Sequence, residues 1–160
     1  MATIEIFTDG SHFKHNNDGY LGIGVFCIYN DKEYKLSNHC DEILLKEYGI
    51  TETKLSNPTM EFLAFAETLK LLRNVKNSYI FVFKIDYEGV GKWMKNEWKC
   101  KKPYIKKIKE KCDLYLKEIK GKVEIQHVKG HSKIYGNEQV DKLAKCREKI
   151  DTIYELIRLL

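Results

Sequence analysis

An α/β fold is predicted: one mixed sheet of five strands, an antiparallel meander followed by parallel strands, with helices on its faces. Three observations predict it. Three β-rich runs joined by short polar segments come before residue 40; a helix, a strand, two helices, a strand and a helix then alternate; and 160 residues suffice for one domain. Strand-helix-strand alternation implies right-handed crossovers between parallel strands. Ligands in such sheets gather beyond the carboxyl ends of strands.

Thr3–Thr8 alternates β-branched or aromatic residues with others and is expected to stop at Asp9-Gly10-Ser11, which reads as a turn. A polar loop, His12–Gly19, follows. Tyr20–Tyr29 is an apolar strand whose two glycines suggest a bulge or a close backbone approach, and Glu33–Asn38 pairs with it as a hairpin across Asn30-Asp31-Lys32. His39–Leu55 mixes acids with aliphatics and reads as an ordered excursion or a short helix. Thr59–Leu72 has apolar residues at helical spacing behind Ser56-Asn57-Pro58, which suits a helix start. Tyr79–Ile85 is a nearly continuous hydrophobic run, expected to be a central strand covered on both faces, and ends at Asp86. Val90–Trp98 and Pro103–Ile119 read as a short and a long helix, Val123–Val128 as a strand, and the last helix of the alternation starts near Asn137. Beyond Lys145, Ile150, Ile153, Leu156, Ile157 and Leu160 trace an apolar helical stripe packed on the domain. The chain is thus read as a single domain, 1–160, with an insertion of unassigned role at 39–55 and a C-terminal helical extension at 145–160.

A hydrophobic fraction of 43% and a charged fraction of 32% exclude a disordered or low-complexity chain. No run approaches the roughly 18 apolar residues of a membrane span, and no basic-then-hydrophobic leader opens the chain. A cytoplasmic protein without a membrane partner is expected. The five cysteines contain no close CxxC pair and read as reduced thiols. The net charge of +5 permits an acidic partner without requiring one.

Each of four acids has a local explanation. Asp9 suits a turn, Asp86 a strand end or helix cap, Glu61 the positive end of a helix dipole, and Asp141 an ion pair with Lys145 four positions on. Jointly they say more. Asp9 and Asp86 at the ends of adjacent parallel strands share one sheet edge, and the helices bearing Glu61 and Asp141 pack alongside. Two like charges about 4 Å apart repel by roughly 4 kcal/mol at a dielectric near 20, so four converging carboxylates call for cations. Oxygen-only ligands suit Mg²⁺ or Mn²⁺, and two such ions can clamp a phosphodiester during in-line displacement.

The motifs TDGS (8–11), SNPTMEFLAF (56–65), FKIDYEGV (83–90) and VKGHSKIYGNEQVDKLAK (128–145) carry these acids in a familiar order. On them the chain resembles type 1 ribonuclease H from about Thr3 to Lys145, with KGH followed ten residues later by D-x-L-A as the most specific part. The resemblance implies a five-stranded RNase H-like fold and two-metal hydrolysis of the RNA strand of RNA/DNA hybrids, leaving a 5′-phosphate and a 3′-hydroxyl. It implies that Asp9, Glu61 and Asp86 hold one Mg²⁺, that Asp9 and Asp141 hold the second, and that Mn²⁺ can substitute. His131 matches a loop histidine that assists proton transfer or product departure, and Asn57 and Asn137 match asparagines near the hybrid. Pro58 stands where many members have another asparagine, and the family's glycine and proline after the first motif are absent from SHFKHNNDGYLG.

Recognising a hybrid requires contacts to 2′-hydroxyls across a shallow minor groove. Ser11, Asn57 and the amides around Gly10 are candidates, and equally turn and cap formers. From Lys92 to Lys111 there are nine lysines against Glu97 and Glu110. This reads as an electrostatic footprint in which Trp93 and Trp98 flank Lys99, Lys101 and Lys102, with one tryptophan expected in the core. A monomer is expected, as is the lack of a separate amino-terminal hybrid-binding module ahead of the first motif. Two alternatives stay open: a nuclease of the same superfold acting on DNA, and a nucleic-acid-binding domain without catalysis.

Overall fold

Thr3–His15 (β1) lies inside the sheet because both of its edges are paired. Its first residues run parallel to Tyr79–Ile85 (β4), and from Ile6 onward it runs antiparallel to Asp18–Tyr29 (β2). The computed structural model describes residues 1–15, 18–51, 55–130 and 133–160, without side-chain detail at 13–15 and 18. Among these residues six strands form one sheet in the order β5-β4-β1-β2-β3-β6, where β3 is Lys32–His39, β5 is Gly121–His127 and β6 is Ile150–Asp151.

The sheet is mixed as expected, with five core strands and a short terminal one. The sixth strand adds to the predicted count: Ile150 and Asp151 pair with Ser37 and Leu36, and helix follows only at Ile153–Leu159. The expected helical stripe therefore holds for Ile153, Leu156 and Ile157, which are buried, and fails at Ile150. A second correction concerns β1. Asp9-Gly10-Ser11 does not turn, because β2 presents Gly24, Ile23 and Gly22 opposite these residues and continues the ladder to His15. Of the polar loop expected over 12–19, residues 12–15 and 18–19 are strand, and 16–17 lie outside the described residues. Between β2 and β3 the turn is as read, with Asn30 and Asp31 both at positive φ (49° and 62°), the geometry of a tight hairpin.

Glu42–Glu47 (α1) is a short helix within the 39–55 segment, of which 52–54 lie outside the described residues; the Asp41 side chain caps it, accepting from the Leu44 N–H at 2.9 Å. Tyr48, fully buried, donates to Glu67 at 2.6 Å and straps the segment onto the next helix. That helix, Asn57–Leu72 (α2), starts behind Ser56, whose hydroxyl accepts from the Thr59 N–H at 3.3 Å. Its residues are buried on nearly every side, because sheet and helices enclose it. Phe62 and Phe65 on α2 and Phe81 and Phe83 on β4 are fully buried, each contributing roughly 1.5–3 kcal/mol relative to exposure.

Gly89–Met94 (α3) and Pro103–Glu118 (α4) follow β4. α4 buries Ile105, Ile108, Cys112 and Tyr115 and leaves most of its lysines exposed. On β4 Phe81, Phe83 and Ile85 are buried, whereas Ile80, Val82 and Lys84 are half-buried. The expected double coverage fails because Tyr135–Lys145 (α5) covers β1, β2 and β3 and leaves the opposite face of β4 partly open. After β6, Ile153–Leu159 (α6) packs on β2 and β3, and the Leu160 carbonyl accepts from the Asn77 side chain at 2.8 Å. All five cysteines are free thiols, and no helix among the described residues is long and apolar enough to cross a membrane.

Candidate active site

Parallel pairing of β1 with β4 ends at Phe7 and Lys84, so Asp9 and Asp86 both lie two residues past the end of that ladder. Glu61 reaches them from α2. The approach depends on Gly10, where a Cβ would fall 2.0 Å from the Met60 carbonyl oxygen; only a glycine lets α2 lie on β1 this closely. Glu61 stands in the second turn of α2, past the free N–H groups of the first, so a capping role does not account for it. Asp86 likewise caps no helix: α3 begins at Gly89 behind Glu88.

One oxygen from each of Asp9, Glu61 and Asp86 lies within 4.8 Å of the others. Asp9 and Glu61 are buried at 6% exposure each, and Asp86 is half-buried. Burial pushes Asp9 up to about 7, with the charges of Asp86 and Asp141 adding to it and the hydrogen bond with Glu61 opposing it. Burial raises Glu61 well above the ordinary carboxyl range, reinforced by its hydrogen bond and charge contact with Asp9. Burial also raises Asp86, with the charge of Asp141 adding to it and His127 opposing it. Glu61 Oε2 finds no donor among the described residues. A proton or a cation is what can satisfy an oxygen so placed.

Asp141 is the exception to the predicted quartet. It sits half-exposed on α5 and pairs with Lys145 Nζ at 3.2 Å, the local i,i+4 alternative. It lies close enough for its charge to raise both Asp9 and Asp86, yet outside the 4.8 Å group. The physical reason is charge: a fourth carboxylate joining three others costs energy, and Lys145 offers an exposed partner. His131 lies outside the described residues.

The other sequence-predicted residues fall into two places. Gly10 and Ser11 are buried beside the acids, and Gly10 donates its N–H to Asp9 Oδ1 at 3.0 Å. Asn57 Oδ1 accepts from the His12 N–H at 2.8 Å and so fastens the start of α2 to β1. Asn137, in the first turn of α5, is buried. Further away, Trp93 is stacked on Phe62 with centroids 5.0 Å apart and is the core tryptophan, whereas Trp98 stands at its edge, 38% exposed. The rim of Trp93 joins Lys99, Lys101 and Lys102 to line a cleft of about 290 Å³ whose other wall is Thr59 of α2 and the capping residue Ser56. Lys92 and Lys109 are engaged with Glu97 and Asp113, which narrows the predicted footprint.

His127 belongs to the site without having been singled out from sequence. Its Nε2 lies 3.0 Å from the Asp86 carbonyl oxygen, which can only accept, so Nε2 carries the proton. Nothing in QHVKGH signals this, since pairing of β4 with β5 brings the two together.

A model of the RNase H family matches residues 1–148. The chain is 34% identical over 166 aligned positions to ribonuclease HI of Haemophilus ducreyi, with 98% of the chain and 97% of the relative covered. It is 32% identical over 168 positions to ribonuclease H of Actinobacillus pleuropneumoniae, with the same coverage. Among solved structures, LC11-RNase H1 in complex with RNA/DNA hybrid is similar with a TM-score of 0.60 at 20% identity, covering 88% of this chain and 92% of that one.

Proposed function

The chain belongs to the ribonuclease H family, and from that premise we propose that it hydrolyses the RNA strand of RNA/DNA hybrids endonucleolytically, leaving a 5′-phosphate and a 3′-hydroxyl. The observation that carries the reading is the set of three carboxylates delivered by β1, α2 and the end of β4 to within 4.8 Å, with a buried Glu61 oxygen that finds no donor among the described residues. An all-oxygen set of this kind fits Mg²⁺, with Mn²⁺ as a substitute. Asp9, Glu61 and Asp86 would hold one ion, and Asp9 with Asp141 the other. Bound there, the ions supply charge stabilisation to the phosphodiester and a more acidic water.

The chain's own groups prepare that site. Burial and the contacts with Asp9 raise Glu61 well above the ordinary carboxyl range, and a cation held there would favour its charged form. His127 anchors the Asp86 peptide, and Gly10 sets the spacing of α2 from β1. His131 is assigned proton transfer or product departure. The cleft between α2 and the 99–102 segment offers lysines and an indole rim to a phosphate track, and the LC11 relative, solved with a hybrid, supports that class of substrate.

The test is a panel of end-labelled hybrid, duplex RNA and duplex DNA of one sequence, with Mg²⁺ or chelator. Cleavage of the hybrid's RNA strand with Mg²⁺ only is expected, and Asp86→Asn abolishes it while hybrid binding stays nearly intact. Cleavage of duplex DNA, or binding of hybrid without any cleavage, would replace the reading with a DNA nuclease or a binding domain.

A further inference from the structure

We propose that the hydroxyls of Ser37 and Tyr20 are positioning groups that set the register of α5 along the sheet, and through it the distance of Asp141 from the other three acids. The proposal rests on the hydrolase reading above and deepens it.

Asp9, Glu61 and Asp86 are held by contacts within their own group, but Asp141 rides on a helix whose place is decided elsewhere. α5 touches β2 backbone to backbone. A Cβ on Gly22 would fall 1.8 Å from the Ala144 carbonyl oxygen, and one on Gly24 2.6 Å from that of Val140. Apolar packing also seats the helix, with Phe26 against Val140, Leu143 and Tyr135 and Phe7 beside Gly136. Such contacts are non-directional, so directional bonds sharpen its axial position.

The last carbonyls of a helix have no intrahelical donor. In α5 the Leu143 carbonyl accepts from the Cys146 N–H at 3.3 Å, and the sheet supplies further donors. Ser37 Oγ, on β3 directly opposite Gly24, donates to the Leu143 carbonyl at 2.7 Å and lies 3.2 Å from that of Cys146. Tyr20 Oη, on β2, donates to the Cys146 carbonyl at 2.8 Å. Ser37 is 1% exposed and its bond to Leu143 is buried, whereas the Tyr20 bond is part-buried. At the other end the N-cap residue Ile134 makes no side-chain cap bond, and the tie from Tyr135 to Glu33 joins two exposed side chains. Asp141 stands two residues before Leu143, next to the pinned end. Its present partner, Lys145, holds it outside the group of three, so a small shift of α5 decides whether it can join them.

The test uses the full chain with Ser37→Ala and Tyr20→Phe, singly and together, and Ser37→Thr as the variant that keeps a hydroxyl. Mn²⁺ alone is added, and paramagnetic broadening of the amide signals of α5 is compared with that of β1 and β4. In the double variant broadening around Asp141 is expected to change severalfold while that of β1 and β4 holds, and Ser37→Thr keeps the wild-type pattern. In hybrid cleavage the Mg²⁺ concentration for half-maximal rate is expected to rise by about tenfold with KM for hybrid unchanged, the lower end of effects seen for groups that orient metal ligands. Variants that merely melt at lower temperature, with broadening and Mg²⁺ dependence unaltered, would overturn the proposal. If wild type leaves the hybrid uncut, the hydrolase reading falls, and the Mn²⁺ broadening alone decides the role of the two hydroxyls.

Discussion

Burial makes Asp9 and Glu61 reluctant to ionise, and that reluctance is measurable as stability. The folded carboxyl of Asp9 titrates at about 7 against an ordinary value of 3.8, so between these values the folded chain binds more protons than the unfolded one. Stability of the metal-free protein is therefore full below the lower value and is lost as pH rises through the upper one, a loss that Asp9 shares with its hydrogen-bonded neighbour Glu61. Urea unfolding in chelator across that range is expected to show the decline, and Asp9→Asn to flatten it; a wild type whose stability held constant would contradict the burial argument. The identity of the three clustered acids was legible in sequence, because each sits in a motif with its element's period around it. The separation of Asp141 was less so. Its pairing with Lys145 could be read from spacing, but the choice between Lys145 and the acids depends on the position of α5, which Gly22, Gly24, Ser37 and Tyr20 determine from other strands. His127 was invisible for the same reason, since its partner is a main-chain oxygen on another strand.

Among the elements, α2 was the most readable, since Ser56 and Pro58 mark its start and the apolar spacing runs its full length. β1 misled, because Asp-Gly-Ser is a turn signal locally and only the facing strand β2 makes it part of a ladder. β6 is too short to carry a pattern of its own. The basic segment leading into α4 was legible as charge but not as geometry: ion pairs engage Lys92 and Lys109, while Lys99, Lys101 and Lys102 face the cleft beside α2. Neutralising Lys101 and Lys102 together is expected to weaken hybrid binding and to reduce the slope of log K against log salt by up to about 2, since each phosphate neutralised by a lysine accounts for about 0.9 of that slope. Binding titrations at several salt concentrations check this, and an unchanged slope would move the nucleic acid away from the cleft.

For the molecule as a whole, the order β5-β4-β1-β2-β3-β6 explains why the site lies where it does. Parallel pairing on one side of β1 and antiparallel pairing on the other meet at this strand, and the connections change direction there, as ligand sites in α/β sheets generally require. α2 closes the edge from one face and α5 from the other, so three carboxylates come together and a fourth stands within electrostatic reach. The fold class and this convergence followed from the alternation of elements; the exact depth at which each acid sits did not, because it depends on backbone contacts at Gly10, Gly22 and Gly24. The most direct measurement is an anomalous difference map from crystals soaked in Mn²⁺. A peak coordinated by Asp9, Glu61 and Asp86 is the expected result. Intact crystals at saturating Mn²⁺ with no density among these three side chains would contradict the account.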